Sequence, residues 1–373
     1  MPYIISCGES GEGIILENDS LTLLDGGTAT TTTVNSGGNM FISSGGTANR
    51  TTVNTSGNMF VSSGGIADST TLNSRGILEV LSGGTADNTI VNSRGILDVS
   101  SGGTADHTTV ISNGSIFVFS GGTAAHTAAD VGGMIRISSG GTATGIVENG
   151  GFVNDAPGAT VSFVEHTFSG CVLSNASATL HSGTTANDMT VGDWGILYIY
   201  SGGTANRATV DGLISILGGM ANGTTIHSDG SMHIRSGGTA DRTTVAAGGF
   251  LFVYSSGTAN GATVTGGGEM IVSGGGTADS VTVEGGGEFY VDKDGIAADI
   301  TVNLMAYVCV SDGGSATGIL ENGGYVEIDD DSTVAFLSNT LSGLVLGDGC
   351  HATVHSNTTA TGTASSGPSG ATC

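Results

Sequence analysis

The most restrictive feature of this sequence is a repeat of nineteen residues. The tetrapeptide Gly-Gly-Thr-Ala, with small variants, marks each repeat along most of the chain. A fixed period of about twenty residues is typical of a solenoid, in which each repeat forms one coil. A single coil cannot bury its own apolar face, so the stacked coils form the core together. The repeat alanines are Ala29, Ala48, Ala67, Ala86, Ala105, Ala124, Ala143, Ala186, Ala205, Ala221, Ala240, Ala259, Ala278, Ala297 and Ala316.

Each repeat predicts two short strands that are separated by glycine turns. In residues 32–48, a β-branched pair precedes Asn35, and a run of larger apolar residues begins at Met40. Paired glycines allow the positive φ angles that tight turns need. Apolar residues that recur at nineteen-residue intervals are expected to face inward. These inward columns are Val34, Val53, Leu72, Val91 and Val110, and Ile42, Val61, Val80, Val99 and Val118.

The columns predict an all-β fold, a right-handed parallel β-helix of about 19 residues per coil. Successive coils would be joined by hydrogen bonds as parallel strands. We expect a single elongated solenoid over residues 1–360, with divergent coils at about 143–186 and 316–360. These two segments resemble each other, which favours a structural joint. Residues 361–373 predict a flexible, low-complexity tail.

Composition narrows the possible partners. The 373 residues include 8 Lys and Arg and 33 Asp and Glu, so the net charge is −25. This charge argues against nucleic acid and anionic membranes as partners, because counterion release requires basic patches. No apolar stretch predicts membrane insertion, and Met1–Ile5 lacks the features of a signal peptide. The pairing of the five cysteines stays open; they are Cys7, Cys171, Cys309, Cys350 and Cys373.

A column of acidic residues follows the repeat alanine. Asp68, Asp87 and Asp106 occupy it, and stacked carboxylates would repel unless a cation or water lay between them. A calcium-binding β-roll, however, repeats every nine residues and has a later glycine that Gly83–Asp87 lacks. We therefore favour side chains that cap the turn, and we expect folding without calcium or any other cofactor.

Other ionisable residues also fall into columns. His107 and His126 are nineteen residues apart and should stack, but no further metal ligand is expected beside them. Arginines and acidic residues in adjacent coils predict an ionic stripe on a solvated face. This stripe consists of Arg75, Arg94, Glu79 and Asp98.

No catalytic centre is predicted, because the polar residues are distributed along columns and are not gathered at one place. A hydrolase would need an acid and a base whose environments separate their pKa values. If a site exists, it should lie in the divergent segments, near His181 or His355, with Glu148 or Glu321 nearby.

Hydroxyl side chains form two ladders. A flat threonine ladder would order water, as an ice-binding surface does, and an exposed serine ladder would accept sugars. Plain solubility and hydrogen bonding between coils would also explain both ladders. The threonines are Thr33, Thr52, Thr71 and Thr109. The serines, each placed before a Gly-Gly pair, are Ser44, Ser63, Ser82, Ser101, Ser120 and Ser139.

The repeat Ser-Gly-Gly-Thr-Ala-Xaa-Xaa-Thr-Thr-Val-Asn-Ser-Gly-Gly, seen with small changes at 44–56 and 82–93, resembles the repeat of AIDA-type autotransporter adhesins. The resemblance covers nearly the whole chain. It implies a β-helical passenger domain on the bacterial surface, with O-heptosylation of repeat Ser or Thr by a heptosyltransferase. The secretion signal and translocator of that family are not recognisable in this sequence.

The prediction is a bacterial cell-surface stalk or adhesin that is not an enzyme and that binds a receptor on a host or bacterial cell. The six serines of the ladder are the candidate glycan acceptors. One alternative is a β-helix that binds or cleaves polysaccharide, for which a cleft lined with acidic residues would be expected. The other alternative is an ice-binding solenoid, for which one flat face of regularly spaced threonines would be expected.

Overall fold

The computed structural model describes residues 3–347 and 350–365. Its contacts divide the chain into two compact units. The first unit comprises the residues up to Thr167 together with Ala176–Thr179, and the second comprises Phe168–Asn175 and the residues from Leu180 onward. Secondary structure in the described residues consists of 56 β-strands and no helix. No described segment is therefore a helix that is long and apolar enough to span a membrane.

The first unit is a parallel solenoid with three faces, and each coil contributes one strand to each face. The strands of its first face are Tyr3–Ile5, Ser20–Leu23, Asn39–Ile42, Asn58–Val61, Ile77–Val80, Ile96–Val99, Ser115–Val118, Met134–Ile137 and Phe152–Asp155. Those of its second face are Ser10–Glu12, Thr28–Thr30, Thr47–Asn49, Ile66–Asp68, Thr85–Asp87, Thr104–Asp106, Thr123–Ala125, Thr142–Asn149 and Thr160–Phe163. Those of its third face are Ile15–Leu16, Thr33–Val34, Thr52–Val53, Thr71–Leu72, Ile90–Val91, Thr109–Val110 and Ala128–Asp130.

The second unit has the same three-faced arrangement. Its first face contains Ile196–Tyr200, Leu213–Leu217, Ser231–Arg235, Phe250–Val253, Glu269–Val272, Glu288–Val291, Tyr307–Val310 and Tyr325–Ile328. Its second face contains Thr184–Asn187, Thr204–Asn206, Met220–Asn222, Thr239–Asp241, Thr258–Asn260, Thr277–Asp279, Ile296–Ala298, Ser315–Asn322 and Thr333–Phe336. Its third face contains Val172–Leu173, Thr190–Val191, Thr209–Val210, Thr225–Ile226, Thr244–Val245, Thr263–Val264, Thr282–Val283 and Thr301–Asn303.

The remaining strands lie at the division between the units or near the end of the described chain. Two of them include residues of both units: His166–Ser169 and Ser177–Leu180. Two short parallel pairs follow the second unit's last coil. These pairs are Asn339–Ser342 with Thr358–Thr361, and Val345–Leu346 with Ala364–Ser365.

Successive coils pair in parallel with a register of one repeat. Ala67 lies opposite Ala86, and Leu72 lies opposite Val91, in each case nineteen residues along the chain. Leu72 and Val91 have no exposed side-chain surface, because they point into the core between the three faces. The predicted parallel β-solenoid with inward apolar columns is therefore confirmed. The prediction of two strands per repeat is wrong, because the chain also bends after the residue that follows the repeat alanine, which gives a third strand such as Thr47–Asn49.

Three parts of the sequence-based expectation stay predictions. These are the right hand of the coil, the continuity of one solenoid over residues 1–360 and its division into regular and divergent coils. The predicted flexible tail covers residues 361–373, of which residues 366–373 lie outside the described residues. In its described part, Thr361 is the last residue of one strand and Ala364–Ser365 forms another.

The Gly-Gly turns follow from steric limits at two successive positions. Gly83 has φ of 74°, a value in the left-handed region that most side chains disfavour. At Gly84, a Cβ atom would lie 2.3 Å from the carbonyl oxygen of Val61 in the preceding coil. The second position therefore requires glycine for its close approach to a neighbouring coil, whereas the first favours glycine for its backbone angle but is occupied by Ser256, with φ of 60°, in a later coil.

One long strand in each unit replaces the turn between the second and third faces. Thr142–Asn149 pairs with strands of both faces, since Ala143 lies opposite Ala124 and Glu148 lies opposite Ala129. Ser315–Asn322 does the same in the second unit. These strands carry the two matching sequence segments that begin at Ala143 and Ala316.

Candidate functional site

The six candidate glycan-acceptor serines occupy one turn of successive coils in the first unit. All six are exposed. The glycine after each serine donates its N–H to the matching glycine of the next coil, as in the 2.8 Å bond from Gly64 to Gly83. These bonds hold the turns in one column. The serines are Ser44, Ser63, Ser82, Ser101, Ser120 and Ser139.

Each of these hydroxyl groups lies close to a glycine of the next coil. A Cβ atom on Gly83 would lie 2.7 Å from Ser63 Oγ, and one on Gly102 would lie 2.7 Å from Ser82 Oγ. The glycines therefore leave room for the hydroxyl groups as well as allowing the turn. The result is a row of exposed primary hydroxyl groups at a spacing of one coil.

The predicted threonine ladder is interrupted. Thr52 and Thr71 pair in register and are half-buried, but the next position in the column is Ile90, whose exposure is 43%. A flat array of threonine hydroxyls is therefore absent over these coils, and the structure offers no support for an ice-binding surface at this ladder.

A second threonine column, adjacent in sequence to the first, is buried. Thr70 and Thr89 are at most 1% exposed, and their Oγ1 atoms have no hydrogen-bond partner within the described residues. The consecutive Thr-Thr pairs of the sequence thus split, with one threonine facing inward and the other outward, because side chains alternate along a strand. The buried column comprises Thr32, Thr51, Thr70, Thr89, Thr108 and Thr127.

The acidic column caps the turns between the second and third faces. Asp68, Asp87 and Asp106 lie opposite one another in successive coils. Asp87 Oδ1 accepts a hydrogen bond from the backbone N–H of Asn88 at 2.9 Å, and Asp106 Oδ1 accepts one from His107 N–H at 2.9 Å. The predicted capping role of these side chains is therefore confirmed for Asp87 and Asp106.

Two histidines join this column. The rings of His107 and His126 are stacked with centroids 5.0 Å apart, as predicted. The expectation that no further ligand lies beside them is wrong, because Asp106 Oδ1 is 2.8 Å from His126 Nδ1 and 3.3 Å from His107 Nδ1. The cause is a spacing of twenty residues, since each histidine reaches back to the carboxylate of the preceding coil. The nearby His126 ring lowers the pKa of Asp106.

The predicted ionic stripe combines a column of arginines with a column of acidic residues. Glu79 and Asp98 lie opposite each other on the first face, where burial, and then the charge of Glu79, raises the pKa of Asp98 to about 6. Arg75 and Arg94 lie in a turn with φ of 69° and 66°. No ion pair joins the arginines to these acids among the described residues.

A polar cluster surrounds Glu321 in the second unit, where Glu321 is fully buried. Glu321 Oε1 accepts a hydrogen bond from Thr353 Oγ1 at 2.9 Å and lies 2.7 Å from His355 Nδ1. Its Oε2 accepts one from His355 N–H at 2.9 Å. Burial alone would raise the pKa of Glu321, but the donors from His355 and Thr353 hold it below the ordinary value. The predicted proximity of Glu321 and His355 is confirmed.

The corresponding glutamate of the first unit is also buried. Thr179 Oγ1 donates a hydrogen bond to Glu148 Oε1 at 2.6 Å and accepts one from the backbone N–H of Val153 at 2.9 Å. Glu148 has no exposed surface. The same motif therefore buries a carboxylate beside a threonine hydroxyl in both units.

These glutamates continue the apolar columns of the core. Glu148 lies opposite Ala129, and Glu321 lies opposite Val302, each of which faces inward on the third face. A polar side chain thus replaces an apolar one on the long strand of each unit. The sequence signal was present, because the Ile-Val-Glu-Asn and Ile-Leu-Glu-Asn motifs place Glu at an inward position of an alternating strand.

A row of aromatic side chains on the first face of the second unit was not predicted. The rings of Phe250, Phe252 and Tyr254 are nearly parallel, with neighbouring centroids 6.2 and 5.9 Å apart. His233 packs edge-on against Phe252 at 4.9 Å, and the Arg235 guanidinium lies 4.9 Å from the Tyr254 ring centroid. Alternation of aromatic and aliphatic residues in Phe-Leu-Phe-Val-Tyr was the available signal.

Comparison with known proteins identifies relatives of this repeat. A family described as the adhesin of the bacterial autotransporter system, probable stalk, matches residues 25–76, 56–115 and 209–268. The crystal structure of a TibC-catalysed hyper-glycosylated TibA55-350 fragment is 30% identical in sequence, with 88% of this chain and 99% of that chain covered and a TM-score of 0.42. No match was found among curated proteins.

The family match falls on three segments of the repeat, in both units. The sequence identity to the TibA fragment extends over almost the whole of that fragment. The resemblance that the Ser-Gly-Gly-Thr-Ala repeat indicates is therefore confirmed. This chain belongs to the family of AIDA-type autotransporter adhesin stalks.

Proposed function

We propose that this chain is a surface-exposed stalk or adhesin domain of a bacterium, that it is not an enzyme, and that it carries O-linked heptose on the exposed serine column. The observation that carries this proposal is the register of the six serines, each exposed on a turn of the first unit. A glycosyltransferase that recognises one such turn would find the same backbone and the same hydroxyl group on the next coil.

The similarity to the TibA fragment supports glycosylation. That fragment is hyper-glycosylated through catalysis by TibC, so a related transferase is the proposed partner of this chain. Serine is the stronger candidate acceptor, because the serine column is fully on the surface, whereas Thr52 and Thr71 are half-buried in a strand.

The polar clusters support a role without catalysis. The carboxylate of Glu321 is buried and accepts hydrogen bonds from Thr353 and from the backbone of His355. A general acid or base must be within hydrogen-bond reach of a substrate proton, and this carboxylate faces protein donors. Its position favours a structural cap for the end of the core.

Intact-mass measurement of the chain, produced with and without a family heptosyltransferase, tests the proposal. We expect added masses that are multiples of one heptose residue, and only with the transferase. Substitution of Ser63, Ser82 and Ser101 by Ala should remove up to three additions. The matched control replaces Thr33, Thr52 and Thr71 by Val and should leave the number unchanged. No added mass on the natural sequence, or an unchanged number in the serine variant, would contradict the serine column as acceptor.

A second candidate function, polysaccharide binding, is favoured by the aromatic row of the second unit. Parallel aromatic rings beside an arginine offer apolar faces for the C–H groups of a sugar and a donor for its hydroxyl groups. In affinity electrophoresis, we expect the chain to migrate more slowly in a native gel with embedded polysaccharide than in one without it. Tyr254→Ala should reduce this retardation. Ile271→Ala, in the next coil of the same face, is the control. Equal migration of the chain with and without polysaccharide would exclude this function for the polymers used.

A further inference from the structure

We propose that Asp106, His107 and His126 form a binding site for a divalent transition-metal ion, with Zn²⁺ as its simplest occupant. The three side chains come from two successive coils of the first unit, at the turn between its second and third faces. Their ligand atoms all lie within 4.8 Å of one another. Nothing in the stalk or adhesin role requires such a site, so it is a separate property of this surface.

The distances between the ligand atoms fit a small metal ion. Asp106 Oδ1 lies 2.8 Å from His126 Nδ1 and 3.3 Å from His107 Nδ1. Ligand atoms at the usual Zn–N and Zn–O distances of a tetrahedral site are separated by about 3.3 Å. The two histidine nitrogens lie within 4.8 Å of each other, so a rotation of the two rings is needed to direct all three atoms to one point. Water would complete the coordination.

The carboxylate is already oriented for this role. Asp106 Oδ1 accepts a hydrogen bond from the backbone N–H of His107 at 2.9 Å. Such contacts fix the direction of a metal ligand and lower the cost of binding. Asp87 contributes further negative charge, because its Oδ1 lies 3.2 Å from His107 Nδ1.

The ring nitrogens determine which metals are expected. Imidazole is a ligand for zinc, copper, nickel and iron, whereas Ca²⁺ and Mg²⁺ prefer sites made of oxygen atoms. The same column one coil earlier carries Asn88, whose Nδ2 lies 3.1 Å from Asp68 Oδ1. That coil has the turn and the hydrogen bond but no imidazole, so the metal site begins where histidine replaces asparagine.

The next coil leaves the site open to solvent. Its residue at this position is Gly145, and a Cβ atom there would lie 3.3 Å from His126 Cδ2. A larger side chain would cover the His126 ring. The side chains of His107 and His126 are 57% and 64% exposed, so an ion can reach the nitrogen atoms directly.

The experiment is a calorimetric titration of ZnCl₂ into the full chain. The chain is first stripped of bound metal with a chelator, which is then removed, and its thiols are alkylated so that cysteine contributes no ligand. The test variant is His107→Asn with His126→Asn, which keeps an amide donor toward each aspartate, as Asn88 does. We expect the natural chain to bind one equivalent that the variant loses or binds at least about tenfold more weakly.

The matched control is His227→Asn. His227 forms a single histidine–aspartate pair, with its Nδ1 3.1 Å from Asp211 Oδ1, and this control should leave the titration unchanged. Circular dichroism establishes that each variant is folded, and His126→Asn alone replaces the double variant if the latter does not fold. Equal zinc binding by the natural chain and the folded variant, or no zinc binding by the natural chain, would overturn the proposal.

Discussion

At the scale of single residues, the threonines of the buried column fit the core in shape, but most of their hydroxyl groups lack the hydrogen bonds that buried polar groups usually form. Thr70 precedes the strand Thr71–Leu72 and its side chain faces the core, whereas its hydroxyl group is buried without a partner in the described residues. A buried polar group without a hydrogen bond costs free energy relative to an apolar group of the same shape. In the second unit the equivalent column contains Thr224, Thr243, Ala262, Val281 and Ile300, all of them buried.

We therefore predict that Thr70→Val stabilises the protein. The expected gain in free energy of unfolding is about 1 kcal/mol, because valine keeps the branched shape and removes the unpaired hydroxyl group. Urea unfolding followed by far-UV circular dichroism is the measurement. Thr71→Val, at the half-buried neighbouring position, should change stability by less than about 0.5 kcal/mol. A loss of stability in Thr70→Val would mean that the hydroxyl group has a partner.

The Glu321 cluster predicts local sensitivity to acid. Its pKa is held below the ordinary value, so the folded state favours the ionised form. The corresponding stability is complete above the ordinary value of 4.5 and is lost as the pH falls through the lower folded-state pKa. Protonation would weaken the bonds from Thr353 and His355, which join residues 353–355 to the long strand.

We expect amide hydrogen exchange of residues 353–355, corrected for the intrinsic rate, to accelerate as the pH falls below about 4.5. Glu321→Gln should lose protection at neutral pH, by about 1–3 kcal/mol, and should show a smaller further loss in acid. Peptides from the core strand Ile77–Val80 serve as the internal reference. Equal pH dependence in both proteins would exclude Glu321 as the titrating group.

At the scale of the element, the Gly-Gly turn is the most demanding part of each coil. A Cβ atom on Gly84 would lie 2.3 Å from the backbone oxygen of Val61, which cannot move without disturbing the hydrogen bonds between coils. Gly192 is different, since a Cβ atom there would meet only the rotatable Ser174 hydroxyl at 3.3 Å and Leu173 O at 3.5 Å.

We predict that Gly84→Ala lowers the free energy of unfolding by about 1–3 kcal/mol, the usual cost of an overpacked site. Gly192→Ala should change it by less than about 0.5 kcal/mol. Denaturant unfolding of the two variants beside the natural chain provides the comparison. Similar stability of both variants would show that the turn at Gly84 can relax.

At the scale of the whole molecule, the repeat makes the number of coils adjustable. Stability in a solenoid is a sum of coil and neighbour terms, so removal of one complete repeat leaves the remaining columns in register. Removal of half a repeat does not, because strand residues of one coil then lie opposite turn residues of the next and the apolar columns are interrupted.

We predict that deletion of the nineteen residues Asn88–Asp106 yields a folded protein with one coil fewer. Its circular dichroism per residue should match that of the natural chain, and its unfolding midpoint should fall only slightly. Deletion of the ten residues Asn88–Leu97 is the control and should lose cooperative unfolding or aggregate. An unfolded nineteen-residue deletion variant would contradict this prediction and would show that residues 88–106 are needed for folding in a way that other repeats cannot replace.

The repeat by itself determined the fold class and the identity of most core residues. Parallel coils pair in register, so a side chain at one position in a repeat has the same environment nineteen residues later. For this reason the inward positions of Leu72 and Val91, the turn role of the paired glycines and the stacking of His107 with His126 followed from spacing alone. The exposed serine turn could also be located in this way, although its chemistry could not.

The contacts that break the period were decided only by the tertiary structure. Asp106 and His126 meet because the histidine lies one residue beyond the repeat interval, where a turn directs its ring back to the preceding coil. Glu321 and Thr353 are 32 residues apart, and their hydrogen bond exists because an irregular segment returns to the end of the core. Periodicity specifies which residues stack, whereas the backbone path at turns and irregular coils decides which side chains meet.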